Sequence, residues 1–219
     1  MPSEVGIVVF GDVAASRRDS PRSSAWLRRL TGELDDATVE HRLARFGFTQ
    51  GDELQGLLDR DADPFAVVLR AALADGALTM RWAIAAGAID RGRGPATQRT
   101  GPAFLVAREA LAEARRQRGG IAVRSGDPDA DSLLAGAAPA LTVLLGELTD
   151  RQRLVARLLI VDQLRQVEAA QRLGIARPTV SVMAERAHVQ EIEGLAGSLR
   201  SILWRGIDRW ADERDGGRR

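Results

Sequence analysis

The sequence predicts an α+β unit with a sheet of four or five strands, followed by an all-helical region. Three observations carry this expectation. Val5 to Phe10 is a continuous apolar run closed by Gly11-Asp12, the pattern of a buried strand. Strand-type runs then alternate with helical periodicity in the order β-α-β-β-α-β-α-β as far as residue 130, which a single sheet with helices on one face accommodates. From Leu148-Thr149-Asp150 to Trp210 the periodicity is helical throughout. The expected division is a mixed unit over 1–130, a connecting helix over 131–148 and a helical domain over 149–214.

Each element has its own warrant. After the first strand, Ala14 to Ser24 is small and polar and reads as a loop. Trp26, Leu27, Leu30 and Leu34 follow at helical spacing, with Val39 and Leu43 extending the pattern. Arg45 to Thr49 alternates weakly, Gln50-Gly51-Asp52-Glu53 is a turn signal, and Leu54 to Leu58 is a second strand, so a hairpin with acids at its tip is expected. Asp63 is an N-cap type and Pro64 suits the first turn of a helix reaching about Asp75. Thr79 to Ile89 reads as a strand, Arg91 to Arg99 as a loop, Pro102 to Gln117 as an amphipathic helix and Ile121 to Val123 as a short strand. Asp131 to Leu148 is a helix rich in alanine and leucine.

Composition narrows the chemistry. Hydrophobic residues make up 45% of the 219, enough for a core. The absence of cysteine excludes disulfides and thiolate metal sites, and the absence of lysine excludes an ammonium for Schiff-base chemistry. The net charge is +1, and the basic surplus lies beyond residue 150. No apolar run is long enough to cross a bilayer, and Met1-Pro2-Ser3-Glu4 lacks the basic start of a signal peptide, so a cytoplasmic protein without a membrane partner is expected.

The densest motif runs from Gln166 to Ser181. It reads as a helix, a turn at Gly174 and a second helix opened by Pro178, the layout that sets a recognition helix in the DNA major groove. Thr149 and Asp150 are N-cap types for the helix before it, with Val155, Leu158 and Leu159 as its buried stripe. Val167, Ala170 and Leu173 are expected to line one buried face, with Ile175 plugging the space between the helices and Val180 and Met183 or Ala184 turned inward. That leaves Arg177, Thr179, Ser181, Val182 and Arg186 outward, for phosphates and base edges, with Gln166 and Thr149 at phosphates. Val189, Ile192, Leu195, Leu199, Ile202, Leu203, Ile207 and Trp210 continue as a long amphipathic helix, to pack on the first unit or to pair with its copy. The segment from Leu148-Thr149-Asp150-Arg151-Gln152 through Thr179-Val180-Ser181 resembles the C-terminal helix-turn-helix of sigma factors, which implies RNA polymerase as a further partner.

In the first unit, Phe10-Gly11-Asp12-Val13-Ala14-Ala15-Ser16 puts an acid at a strand end and Gly51-Asp52-Glu53-Leu54-Gln55 puts two at a hairpin tip. Taken singly, these are strand-end and turn residues. Together, beside an arginine-rich loop, paired carboxylates would hold a divalent ion and a triphosphate. The arrangement resembles the palm domain, of ferredoxin-like βαββαβ core, of class III nucleotide cyclases and diguanylate cyclases. That resemblance implies metal ligands at Asp12, Asp52 and Glu53, a nucleotide carried with Mg²⁺ or Mn²⁺, and nucleotide contacts from Arg17, Arg18 and Arg108. Three departures imply a degenerate palm: Gln50 replaces a signature glycine, Phe104 stands at the asparagine position, and no lysine selects a base. The set Gly-Asp-Val-x-x-Ser, Gly-Asp-Glu-Leu-Gln and Gly-Pro-Ala-Phe-x-x-Ala-Arg, ending in a helix-turn-helix, is similar to the SatD family over nearly the whole chain.

The function expected is that of a bacterial sequence-specific transcriptional regulator. It would bind double-stranded DNA as a homodimer, with the palm-like unit serving as a sensory or dimerisation domain for a nucleotide or second messenger. The alternative is a metal-dependent nucleotidyl cyclase or related nucleotide-processing enzyme.

Overall fold

The first apolar run is the centre of the sheet. β1 (Glu4–Val13) lies between β3 (Glu53–Asp59) and β4 (Met80–Ile89), antiparallel to both. Because it is covered on both faces, apolar residues occupy both sides: Ile7 and Val9 enter one buried layer, Val8 and Phe10 the other. The computed structural model describes residues 4–14, 20–49, 53–117 and 120–216. β2 (Arg42–Phe48) pairs antiparallel with β3, and β5 (Ile121–Arg124) lies parallel to β4, so the sheet is mixed with the order β2-β3-β1-β4-β5. With α1 (Ser20–Ala37) and α2 (Pro64–Ala72), the first six elements run βαββαβ.

Helices cover both faces, which corrects the one-faced sheet expected from the sequence. α3 (Pro102–Ala114) packs on the face of Val8 and Phe10 through a row of small residues, Ala103, Ala107, Ala110 and Ala114, with Leu111. α1, α2 and α4 (Pro128–Glu147) cover the opposite face. α1 begins inside the stretch expected as a loop and stops before Val39 and Leu43. The Thr38 hydroxyl donates to Leu34 O and the His41 amide to Thr38 O, closing the helix, so Val39 is exposed and Leu43 belongs to β2. The Asp63 carboxylate accepts from the Phe65 and Ala66 amides and caps α2 as expected. α4, expected as a connector, buries Leu134, Ala138, Leu141 and Leu145 in the same apolar cluster as the sheet.

The region beyond is all helical. Thr149 and Gln152 form a reciprocal cap on α5 (Asp150–Ala156), which runs into a wider π turn over Arg157–Val161 that the sequence pattern did not announce. α6 (Gln166–Leu173), α7 (Arg177–Arg186) and α8 (Val189–Gly216) follow. The apolar stripe of α8, with Ile192, Leu199, Leu203 and Ile207 buried, is taken up against α2 and α4 within the chain. Polar tethers fix the same contacts. Arg200 pairs with Asp63 at 3.1 Å, the Trp204 indole donates to Ala62 O at 3.1 Å, Arg153 donates to Ala72 O at 2.5 Å, and Arg157 pairs with Glu33 at 2.7 Å. Among the described residues, no single helix is long and apolar enough to cross a membrane.

Candidate functional site

Two surfaces gather the residues singled out by the sequence. The first is the α6–α7 segment. Gly174 ends α6 with φ 64°, the left-handed conformation that a side chain resists, and the Ile175 amide bonds back to Ala170 O. Pro178 lies in the first turn of α7. Val180 and Ala184 are buried and turn α7 towards the core, while Arg177, Thr179, Ser181, Val182 and Arg186 are exposed along its outer side. Gln166 is half-buried at the start of α6.

Two inward assignments are corrected. Val167 is 46% exposed and Ile175 37% exposed. The buried face of α6 is set by the adjacent pair Ala169 and Ala170, with Leu173 one turn on, and Val167 falls off that stripe. With alanines in the contact, the turn residue has no gap to fill. At the head of α6, Glu168 accepts from the Arg165 amide at 2.7 Å and from its guanidinium at 2.8 Å. The guanidinium bond, followed by the backbone bond, holds the Glu168 carboxyl below its ordinary range.

The second surface is the α3 face of the sheet. Asp12 faces Glu53 across the β1–β3 pair and Arg81 across the β1–β4 pair, so the register gathers three charges at one end of the face. Asp12 is only 9% exposed. Arg115, just beyond α3, grips it with both arms of its guanidinium: Nε to Oδ2 at 3.1 Å and Nη2 to Oδ1 at 2.9 Å. The same Nη2 lies 3.6 Å from Glu53 Oε2, and Arg81 Nη1 lies 3.6 Å from Asp12 Oδ2. Gln55 donates to the other Glu53 oxygen at 2.8 Å. Sequence reasoning missed Arg115 and Arg81. Arg81 becomes legible only once the β1–β4 register is known, and Arg115 only once α3 is laid across the strands.

The expected metal ligands meet this arrangement. Asp12 and Glu53 do converge, but a guanidinium already stands between their carboxylates, and Asp52 lies outside the described residues, as do Arg17 and Arg18. Among the described residues no group of three acids or imidazoles is placed to hold a metal ion. The donor set described is two carboxylates matched by two arginines, which does not fit a divalent cation needing six or more oxygen ligands.

Further along the same face, Arg108 lies over the Phe10 ring at 5.9 Å, and Phe10 meets Phe104 with ring centroids 6.0 Å apart. A cleft of ≈ 640 Å³ opens there between α3 and the segment 90–101, with Gln55 on its wall. No family model, curated protein or solved structure matches the chain. The two surfaces therefore carry the functional argument by their own chemistry.

Proposed function

We propose that the chain is a bacterial sequence-specific DNA-binding transcriptional regulator of two parts. On this reading α6, the Gly174 turn and α7 form a helix-turn-helix of the sigma-factor type, and the α/β unit is a palm-like, SatD-like sensory or dimerisation module. The observation that carries the reading is the outer side of α7. It presents Arg177, Thr179, Ser181 and Arg186 to solvent, while Val180 and Ala184 hold the opposite side in the core. Arginines and hydroxyls on the free face of a helix that follows a tight turn are the groups that reach phosphates and base edges in a major groove. The exposed Arg172 on α6 and Arg151 on α5 add positive charge to the same end of the chain. Support for the palm reading is the βαββαβ order with the strand order β2-β3-β1-β4.

Fluorescence anisotropy on labelled genomic fragments tests the proposal. The expected result is sequence-selective binding that weakens steeply between 50 and 200 mM salt, as counterion release requires. Absence of any salt-sensitive, selective binding would refute it. A homodimer is part of the proposal, because two half-sites answer the modest charge surplus of one copy. The alternative of a metal-dependent nucleotidyl cyclase draws on the convergence of Asp12 and Glu53. It requires Arg115 to release Asp12, and product formed from ATP or GTP with Mg²⁺, lost on Asp12→Ala, would establish it.

A further inference from the structure

The three motifs that the DNA-binding reading leaves unused, around Phe10-Gly11-Asp12, Glu53-Leu54-Gln55 and Gly101-Pro102-Ala103-Phe104, come together on one face of the sheet. At the Asp12 end the charges are already matched, with Arg115 and Arg81 on the two carboxylates. At the other end they are not. Among the described residues Arg108 has no acidic partner, although its guanidinium lies over Phe10 at the edge of the cleft. Arg99 lies on the cleft wall, and its Nη2 donates to a backbone carbonyl, Asp90 O at 3.0 Å. Among the described residues the one acid on the wall, Asp90, already accepts from the Thr100 hydroxyl at 2.9 Å. α3 begins at this wall, where Pro102 has no N–H and the Phe104 amide donates to Gly101 O.

The cleft has a second, independent sign of a polar occupant. Gln55 is 5% exposed on a strand whose neighbours Leu54, Leu57 and Leu58 are fully buried and apolar. Its amide nitrogen donates to Glu53, and the residue lines the cleft. The remaining wall includes Phe104, Leu105 and Pro102, an apolar surface for the body of a ligand. A volume of ≈ 640 Å³ is that of a small-molecule site.

We infer that this cleft is a metal-independent binding site for a small organic phosphate, its oxyanion held by Arg108 and Arg99 on the cleft wall and its apolar body against Phe104 and Leu105. The inference deepens the sensory role proposed for the α/β unit, but it does not depend on DNA binding. It sets the ligand away from Asp12, since Arg115 supplies the counter-charge there that a divalent ion would otherwise bring.

The test is calorimetric titration of the full chain with phenyl phosphate, inorganic phosphate and benzoate, each with EDTA and with Mg²⁺. Phenyl phosphate is expected to bind more tightly than either half of its chemistry alone, and equally well in EDTA. Arg108→Met is expected to weaken it by about ten- to a hundredfold, the loss of a charge-assisted contact, while Asp12→Asn leaves it unchanged. A thermal melt of each ligand-free variant checks that it folds. Should Arg108→Met fail to fold, Arg99→Met replaces it with the same expectation. Binding undiminished in the arginine variant would overturn the inference, as would no binding of any of the three probes. Binding that needs Mg²⁺ and disappears in Asp12→Asn would move the site to the carboxylate end and equally overturn it. None of these outcomes touches the anisotropy result for DNA, so the two proposals fail separately.

Discussion

Truncating Leu203 to alanine tests whether the helical region and the sheet share one core. Leu203 is fully buried in α8, and α8 packs on α2 and α4, which belong to the layer beneath the sheet. The substitution removes three carbons, a transfer loss of about 2.4 kcal/mol at ~0.8 kcal/mol each. The cavity left behind adds to this, so a loss of about 3 kcal/mol is expected, within the range seen for buried leucines. With a urea dependence of about 2 kcal/mol per molar, the unfolding midpoint falls by about 1.5 M. Urea unfolding followed by tryptophan fluorescence and by circular dichroism should give one shifted transition from both probes. Native-state hydrogen exchange should show amides of β1 and α8 losing protection together. If α8 loses protection while β1 keeps it, the shared core is refuted and the chain is two independently folding parts.

Gly101→Ala should cost about 3 kcal/mol or more in the same urea assay. Gly101 has φ 135°, and an added Cβ would lie 2.7 Å from the backbone at both Ile89 Cα and Asp90 N. A change under ~0.5 kcal/mol would show that α3 starts differently. Arg177→Ala and Arg186→Ala should each reduce the slope of log affinity against log salt by about 1 in the DNA assay, and an unchanged slope would remove that residue from the phosphate contacts. The Glu168 carboxyl is lowered from 4.5, so its support of the first turn of α6 is present above that value and lost as pH falls through the folded one. NMR of the Arg165 amide should follow this loss, and Glu168→Gln should remove it. His41 is raised from 6.5 by its bond to Asp59, so its contribution is complete below 6.5 and lost as pH rises through the folded value. Asp59→Asn should bring the imidazole titration back down.

Much of this was legible in the chain because single residues enforce local structure. Asp63 with Pro64, Thr149 with Gln152, and Gly174 each mark a helix end through a bond or a backbone angle that needs no distant partner. β1 was legible because a strand buried on both faces carries an unbroken apolar run, here closed by Gly11-Asp12. Phase errors came where small residues carry the packing. Ala169 and Ala170 outrank Val167 and Ile175 at the α6 contact, although valine and isoleucine look like the stronger core residues. The packing of α4 on the sheet was not legible because an alanine-rich helix reads the same whether it bridges or covers a sheet. The pairing of Asp12 with Arg115 joins residues 103 positions apart and depends on the line of α3 across the strands, which no local pattern encodes.

The edges of the sheet carry one more consequence. β5 is four residues long, and β2 meets β3 with its register shifted twice, between Arg42 and Ala44 and between Ala44 and Gly47. A strand from a neighbouring molecule needs a long, regular row of free amides and carbonyls to pair with, and neither border offers one. Two copies are thereby steered away from merging their sheets into one ribbon, and a homodimer of the kind proposed would have to be built on helix surfaces instead.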